Sequence, residues 1–336
     1  MTNSCLALVC HTLSDDLSGV SLERIAVPSP GPGQALVQIA AASVNFPDLL
    51  MTRGGYQFKP ALPFVPGLEA AGRIVALGEA LPDAPTAAPP LRLGDRVLVH
   101  GKTGGFAQYA CAALDALRPT PSALDDAQAA AFQAAATTAY VALVRRGALQ
   151  AGETLLVHGA TGGVGWAAVQ LGKHLGARVI ATGSRPDKLA RLREIEGVET
   201  IDLGAGLRDQ VLAMTGGRGA DLIFDPVGGD VFDASVRCIA WGGRLLVVGF
   251  AAGRIPQLAM NLPLIKGFSI VGVRAGEYGR RDPVRGAQNL QAIDALAEAG
   301  VFRPYIGTRF ALTEALEALA VLARREVLGK VVIEMT

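Results

Sequence analysis

The sequence predicts an α/β protein of two domains, one rich in β-strands and the other a doubly wound parallel sheet. Three observations predict it. The chain has 336 residues, long for one domain, and 50% of them are hydrophobic, ample for two buried cores. Short apolar runs at 154–158, 177–182, 199–202, 221–225, 244–249 and 268–273 alternate with segments of helical character such as 186–194 and 230–240. That is the pattern of parallel strands joined by crossover helices. Between the first two runs stand Gly159, Gly162, Gly163 and Gly165. An amphipathic stretch follows, in which Val164, Ala168, Leu171 and Leu175 recur at helical spacing while Gln170, Lys173 and His174 take other faces.

Residues 1–122 read as strands and turns. Ala35–Ala42, Ala70–Leu77, Arg96–His100 and Phe106–Ala112 are apolar or alternating runs set apart by Gly and Pro clusters. Pro28–Gly33 and the Pro/Ala stretch Leu81–Pro90 read as loops, the second at the surface. Asp125–Arg145 is Ala-rich and helical, with acids at its start and bases at its end, as the helix dipole prefers. After the six strand candidates come helices near 286–299 and 313–325 and a last strand, Lys330–Ile333, which are expected to return to the first domain. The expected division is therefore 1–122 with 281–336 for the β-rich domain and 123–280 for the parallel sheet.

Strand, glycine turn, helix, strand is an arrangement that binds dinucleotides. Gly162 and Gly163 would admit a pyrophosphate to backbone N–H groups, with Val164 at the positive end of the helix, and Gly165 would let the helix pack closely on the strand. A plain glycine turn of an α/β protein is the competing reading, weakened here by the strand before it and the helix after it. The second strand ends in Thr182-Gly183-Ser184-Arg185, with Lys188 close behind and no carboxylate at the strand end. Arg185, Lys188 and Ser184 suit a 2′-phosphate, so the expected cofactor is NADPH rather than NADH. Asp187 is the rival candidate for a ribose acid, but after Pro186 it reads as an ordinary first-turn residue, and Lys188 has a second reading as a solvated helix residue. Asp225, Val227, Gly249, Phe250 and Ala251 lie at later strand ends, where they would wall the nicotinamide half of the cofactor.

Composition excludes other classes. Thirty-one Lys+Arg against 30 Asp+Glu leave a net charge of +1, so nothing points to nucleic acid. No apolar run reaches membrane-spanning length, and the first residues, MTNSCLALVCHTLSDD, lack the basic start of a signal peptide. Cys5, Cys10, Cys111 and Cys238 form no recognisable framework, which suits reduced thiols in the cytoplasm.

Several stretches together resemble the zinc-free quinone oxidoreductase branch of the medium-chain dehydrogenase/reductase superfamily. They are Ala42-Ser43-Val44-Asn45 with Asp48, Pro63–Gly72, Gly94-Asp95-Arg96-Val97, the Ala160–Gly165 turn and Gly329-Lys330-Val331-Val332. The resemblance implies a GroES-like catalytic domain plus a Rossmann domain with the active site in the cleft between them. Zinc-dependent members carry Cys where Asn45 stands and His where Leu68 stands, and a third ligand near Ala134, so no metal is expected. Resemblance also assigns Asn45 and Thr137 to the neighbourhood of the nicotinamide, Tyr56 to a catalytic position facing the acceptor, and Lys330 to the cofactor-binding set. Asn45 also has a catalytic reading. Leu203 stands where some relatives place a tyrosine against the adenine. The activity implied is direct hydride transfer to a quinone or an α,β-unsaturated carbonyl, with Phe46, Phe64 and Phe250 lining a flat apolar site. A 2-enoyl thioester reductase and a non-catalytic NADPH-binding protein are the alternatives. A homodimer is expected through the strand Phe268–Val273, whose edge would otherwise stand open.

Overall fold

A computed structural model describes residues 3–80 and 91–335, and the Leu81–Pro90 loop lies outside the described residues. The chain divides into two compact units, Met1–Gln133 with Pro304–Thr336, and Ala134–Arg303.

The first unit is built on antiparallel pairing. Strand β1 (Ser4–Cys10) pairs with β2 (Val20–Ala26). The long strand β3 (Gln34–Val44) leads into the short helix α1 (Phe46–Thr52), and β4 (Glu69–Leu77), β5 (Arg96–His100), β6 (Tyr109–Ala113), β7 (Leu117–Pro119) and helix α2 (Asp126–Ala130) follow. Strand β3 is the centre of a seven-stranded sheet because its inward residues, such as Val37 and Ile39, are buried while β4 and β6 both bond to it. β1 is tied on through Phe106 and Phe64, whose backbones pair with Leu8 and Cys10.

The second unit opens with α3 (Gln133–Tyr140), which widens into a π-helical turn over Val141–Arg146. Strands and helices then alternate: β8 (Thr154–Val157), α4 (Gly163–His174), β9 (Arg178–Gly183), α5 (Pro186–Arg193), β10 (Val198–Asp202), α6 (Leu207–Met214), β11 (Ala220–Asp225), α7 (Gly229–Ser235), β12 (Ile239–Val247), α8 (Asn261–Lys266), β13 (Ser269–Gly272), α9 (Ala275–Arg281) and α10 (Pro283–Glu298). Six parallel strands stand in the order β10-β9-β8-β11-β12-β13, the Rossmann doubly wound order, whose ligand crevice lies at the strand C-terminal ends. Leu156, Ile180, Ile201, Ile223 and Leu245, one from each of five strands, form its core. All four residues of β8 are buried, as a strand covered on both faces requires.

The chain returns to the first unit with β14 (Ile306–Ala311), α11 (Ala315–Ala323) and β15 (Lys330–Glu334), and β15 pairs with β3. The boundaries expected after residues 122 and 280 fall instead after Gln133 and Arg303. At the first, Arg96 binds Asp126 and the Leu124 carbonyl, which holds α2 in the first unit. At the second, α10 stays behind because Arg145 donates to the buried Asn289 at 2.8 Å, and the Arg303 backbone is bonded at both its N–H and its C=O to the Gln170 side chain of α4. The helix expected to lead back to the first domain therefore belongs to the second.

Candidate active site

In the second unit the glycine turn sits between β8 and α4. A Cβ on Gly165 would lie 2.2 Å from the Gly159 carbonyl oxygen, so this position requires glycine for the helix to meet the strand. Gly162 differs: its nearest neighbour to a Cβ would be 3.4 Å away, which leaves open space above the turn. Trp166 N–H reaches the Gly162 carbonyl at 2.8 Å, so the N–H groups of Gly163, Val164 and Gly165 precede the helical ladder, as an anion site needs.

The end of β9 lies against this turn. Ala160 N–H donates to the Thr182 carbonyl at 3.1 Å, and Gly183 is close to Thr161. Ser184 and Arg185 follow in the open. Arg185 grips Asp187 through Nε at 3.1 Å and Nη2 at 2.8 Å, and that guanidinium holds the Asp187 carboxyl below its ordinary range. Asp187 is thus the counter-ion of Arg185 in this structure. Lys188 is buried on α5, which removes its reading as a solvated helix residue.

Asp225 shapes the neighbouring wall. Its Oδ1 accepts from the N–H groups of Val227 at 2.8 Å and Gly228 at 2.9 Å, while burial pushes its carboxyl up. The side chain is almost wholly buried, so Asp225 forms the loop and Val227, which reaches over Gly159, forms the surface. Gly249, Phe250 and Ala251 are knitted to the same loop through Ala251 N–H to Pro226 O and Ala252 N–H to Val227 O. Thr137 Oγ1 is buried without a hydrogen-bond partner among the described residues. An orphaned hydroxyl, an open glycine turn and free helix N–H groups fit a bound nicotinamide dinucleotide.

In the first unit Asn45 caps α1, and both N–H groups of its amide are engaged. Nδ2 donates to Ser43 O at 3.2 Å and Glu69 Oε1 at 3.0 Å, and Oδ1 accepts from Lys330 Nζ at 2.7 Å. Lys330 also meets Glu69 Oε1 at 2.9 Å, with side-chain exposures of only 8% and 2%. Asn45 therefore has one carbonyl lone pair to spare and no donor. A developing oxyanion needs a donor, so the catalytic reading of Asn45 gives way to that of a fixed acceptor. The Lys330 ammonium serves Glu69 and Asn45 with two of its three N–H donors, so it also holds this buried group together. Asp48 underlies the group, accepting from the N–H groups of Asn45, Gly67 and Leu68, and burial pushes its carboxyl up to about 7. Tyr56 packs on the edge of the first core, and its hydroxyl makes no hydrogen bond among the described residues. Phe64 belongs to that core too, because both its backbone groups pair with Cys10; Phe46 and Phe250 remain exposed.

Sequence reasoning assigned no role to Glu69, although an acid inside Leu68-Glu69-Ala70-Ala71 signals a buried partner.

The family model described as alcohol dehydrogenase GroES-like domain matches residues 31–122, and that described as zinc-binding dehydrogenase matches residues 163–294. The quinone oxidoreductase-like protein 2 homolog of Nematostella vectensis is 38% identical over 331 residues, covering 97% of this chain and 88% of that protein. The chain belongs to the quinone oxidoreductase branch of the medium-chain dehydrogenase/reductase superfamily. Among solved structures, a probable oxidoreductase from Mycobacterium abscessus superposes with a TM-score of 0.86 at 36% identity, covering 98% of this chain and 99% of that one. A mycobacterial protein solved in complex with NADPH superposes with a TM-score of 0.86 at 26% identity, covering 98% and 99%.

As a member of this branch the protein is an oxidoreductase with a GroES-like unit and a Rossmann unit. Among the described residues no three His, Cys, Asp or Glu side chains gather closely enough to hold a metal ion, and Leu68 packs on the first core. No helix among the described residues is long and apolar enough to cross a membrane. Strand β13 ends the Rossmann sheet with Ile270 39% exposed, and Trp241 and Leu264 elsewhere in the unit are 80% and 81% exposed.

Proposed function

We propose that this oxidoreductase is NADPH-dependent and zinc-independent and reduces quinones or α,β-unsaturated carbonyls. One observation carries the reading: beside an open glycine turn, β9 is followed by Ser184 and Arg185 with no carboxylate at the strand end, and the nearest acid, Asp187, is spent on Arg185. That pair is 56% and 61% exposed, so water screens it and it separates easily, and a phosphate dianion is the stronger partner. The mycobacterial relative solved with NADPH supports the same choice.

Bound NADPH supplies the hydride. This chain's own residues hold the pyrophosphate at the α4 N-terminus, set the cofactor by Thr137 and Val227, and offer the Asn45 carbonyl to a hydroxyl or N–H of the ligand. Tyr56, with its hydroxyl unengaged, donates to the acceptor's carbonyl oxygen as charge builds there. Exposed Phe46 and Phe250 suit a flat apolar acceptor and suit a sugar or hydroxy acid badly. Four free cysteines, three of them buried, accord with a cytoplasmic setting.

Titration of NADPH and NADH into wild type and Arg185→Ala tests the cofactor. The charge-assisted contact is worth about 1.5–3 kcal/mol, so the variant should lose about tenfold or more in affinity for NADPH alone. Equal wild-type affinities would refute the assignment. Turnover with 1,2-naphthoquinone, an enone and crotonyl-CoA separates this activity from a thioester reductase and from a non-catalytic binder. NADPH carrying deuterium on one face of C4 should deliver it to the enone β-carbon.

A further inference from the structure

The interior of the Rossmann unit holds one polar network that the reading above leaves unused. His158 follows β8 directly, and its side chain is fully buried. Nδ1 lies 2.9 Å from Thr182 Oγ1 on β9, and Nε2 lies 2.7 Å from Ser235 Oγ on α7. Ser235 Oγ also bonds the Val231 carbonyl at 2.7 Å.

These contacts settle every proton. A serine hydroxyl has one hydrogen, and a carbonyl can only accept, so Ser235 donates to Val231 and must accept from His158. Nε2 therefore carries the ring proton, Nδ1 presents a lone pair, and Thr182 donates to it. Burial holds the ring neutral, with its pKa lowered to about 3, so it takes no part in proton transfer at working pH.

The partners are spread along the chain in a telling way. His158 precedes Gly159, where the glycine turn begins. Thr182 stands just before Gly183-Ser184-Arg185. Ser235 ends α7, the helix that starts from the loop shaped by Asp225. One imidazole thus joins the three segments to which the cofactor contacts were assigned. The tolerances there are small, since a Cβ on Gly159 would stand 3.2 Å from Val227 Cγ2. Apolar side chains of equal volume would fill the space without setting distances, whereas hydrogen bonds of fixed direction set them.

We propose that His158 is a positioning residue which, through Thr182 and Ser235, holds the glycine turn, the 2′-phosphate segment and α7 at the spacing a dinucleotide requires. This rests on the reading of the second unit as an NADPH site. The proposal makes the two arms of the network unequal. The Thr182 arm steadies Ser184 and Arg185, which only NADPH uses, while the Ser235 arm steadies a wall that both cofactors share.

The test is equilibrium binding of NADPH and NADH, followed by nicotinamide fluorescence, alongside melting temperatures for His158→Leu, Thr182→Val and Ser235→Ala. Thr182→Val should raise the Kd for NADPH about three- to tenfold and change that for NADH by less than about twofold; Ser235→Ala should raise both by a similar factor. His158→Leu should weaken both, NADPH more. A purely structural role would lower melting temperatures and leave the ratio of the two Kd values unchanged in every variant, which would overturn the proposal. The two single-arm variants nearly keep side-chain volume, so they decide the matter even where His158→Leu fails to fold. Wild type that binds neither cofactor would instead sink the cofactor assignment itself.

Discussion

Replacing Glu69 by glutamine would isolate the electrostatic part of the buried Glu69–Lys330 pair. Removing one partner of such a pair costs about 3–5 kcal/mol in general. Glutamine keeps an oxygen that can accept from Nζ, and Asn45 Oδ1 accepts from the same ammonium at 2.7 Å, so these two bonds can persist while the negative charge is lost. Glu69→Gln should therefore destabilise the first unit by about 3–5 kcal/mol at pH 7. Both tryptophans, Trp166 and Trp241, lie in the second unit, so their fluorescence does not report the change. Urea unfolding followed by far-UV circular dichroism, with amide exchange in β3, β4 and β15, reads the first unit at pH 7. A loss under about 1 kcal/mol would refute the reasoning.

Three further outcomes follow from the geometry. Burial lowers the His158 pKa from 6.5 to about 3, so between those values the unfolded chain binds the extra proton; the stability it contributes is present above pH 6.5 and lost as pH falls towards 3. Tryptophan-detected unfolding should show wild type losing about 1.4 kcal/mol per pH unit relative to His158→Leu across that window, and parallel profiles would contradict it. Ile270→Lys, on the open edge of β13, should weaken the homodimer proposed for that strand, with light scattering of wild type at micromolar concentration giving a dimer mass; a monomeric wild type rules the interface out. Tyr56→Phe should lower kcat about 10–1,000-fold if the hydroxyl meets developing charge, whereas an unchanged kcat assigns Tyr56 to packing.

Much of this protein was legible in its sequence because the relevant forces act over a few residues. The apolar runs at 154–158, 177–182 and 221–225 became β8, β9 and β11 because a strand buried on both faces must be apolar throughout. Gly165 was readable because helix and strand leave no room for a Cβ. What the tertiary structure decided lies in contacts between distant residues. Lys330 meets Asn45 across 285 positions and Glu69 across 261, and only that encounter shows that the candidate cation and the candidate amide share one buried carboxylate. His158 reads as an isolated polar residue in a strand until α7 brings Ser235, 77 residues on, within 2.7 Å. The place where the chain leaves the second unit is set in the same way, by Gln170 binding the Arg303 backbone 133 residues away. A polar side chain in an apolar run shows that burial must be compensated, but which partner compensates it depends on how the sheets and helices close around it.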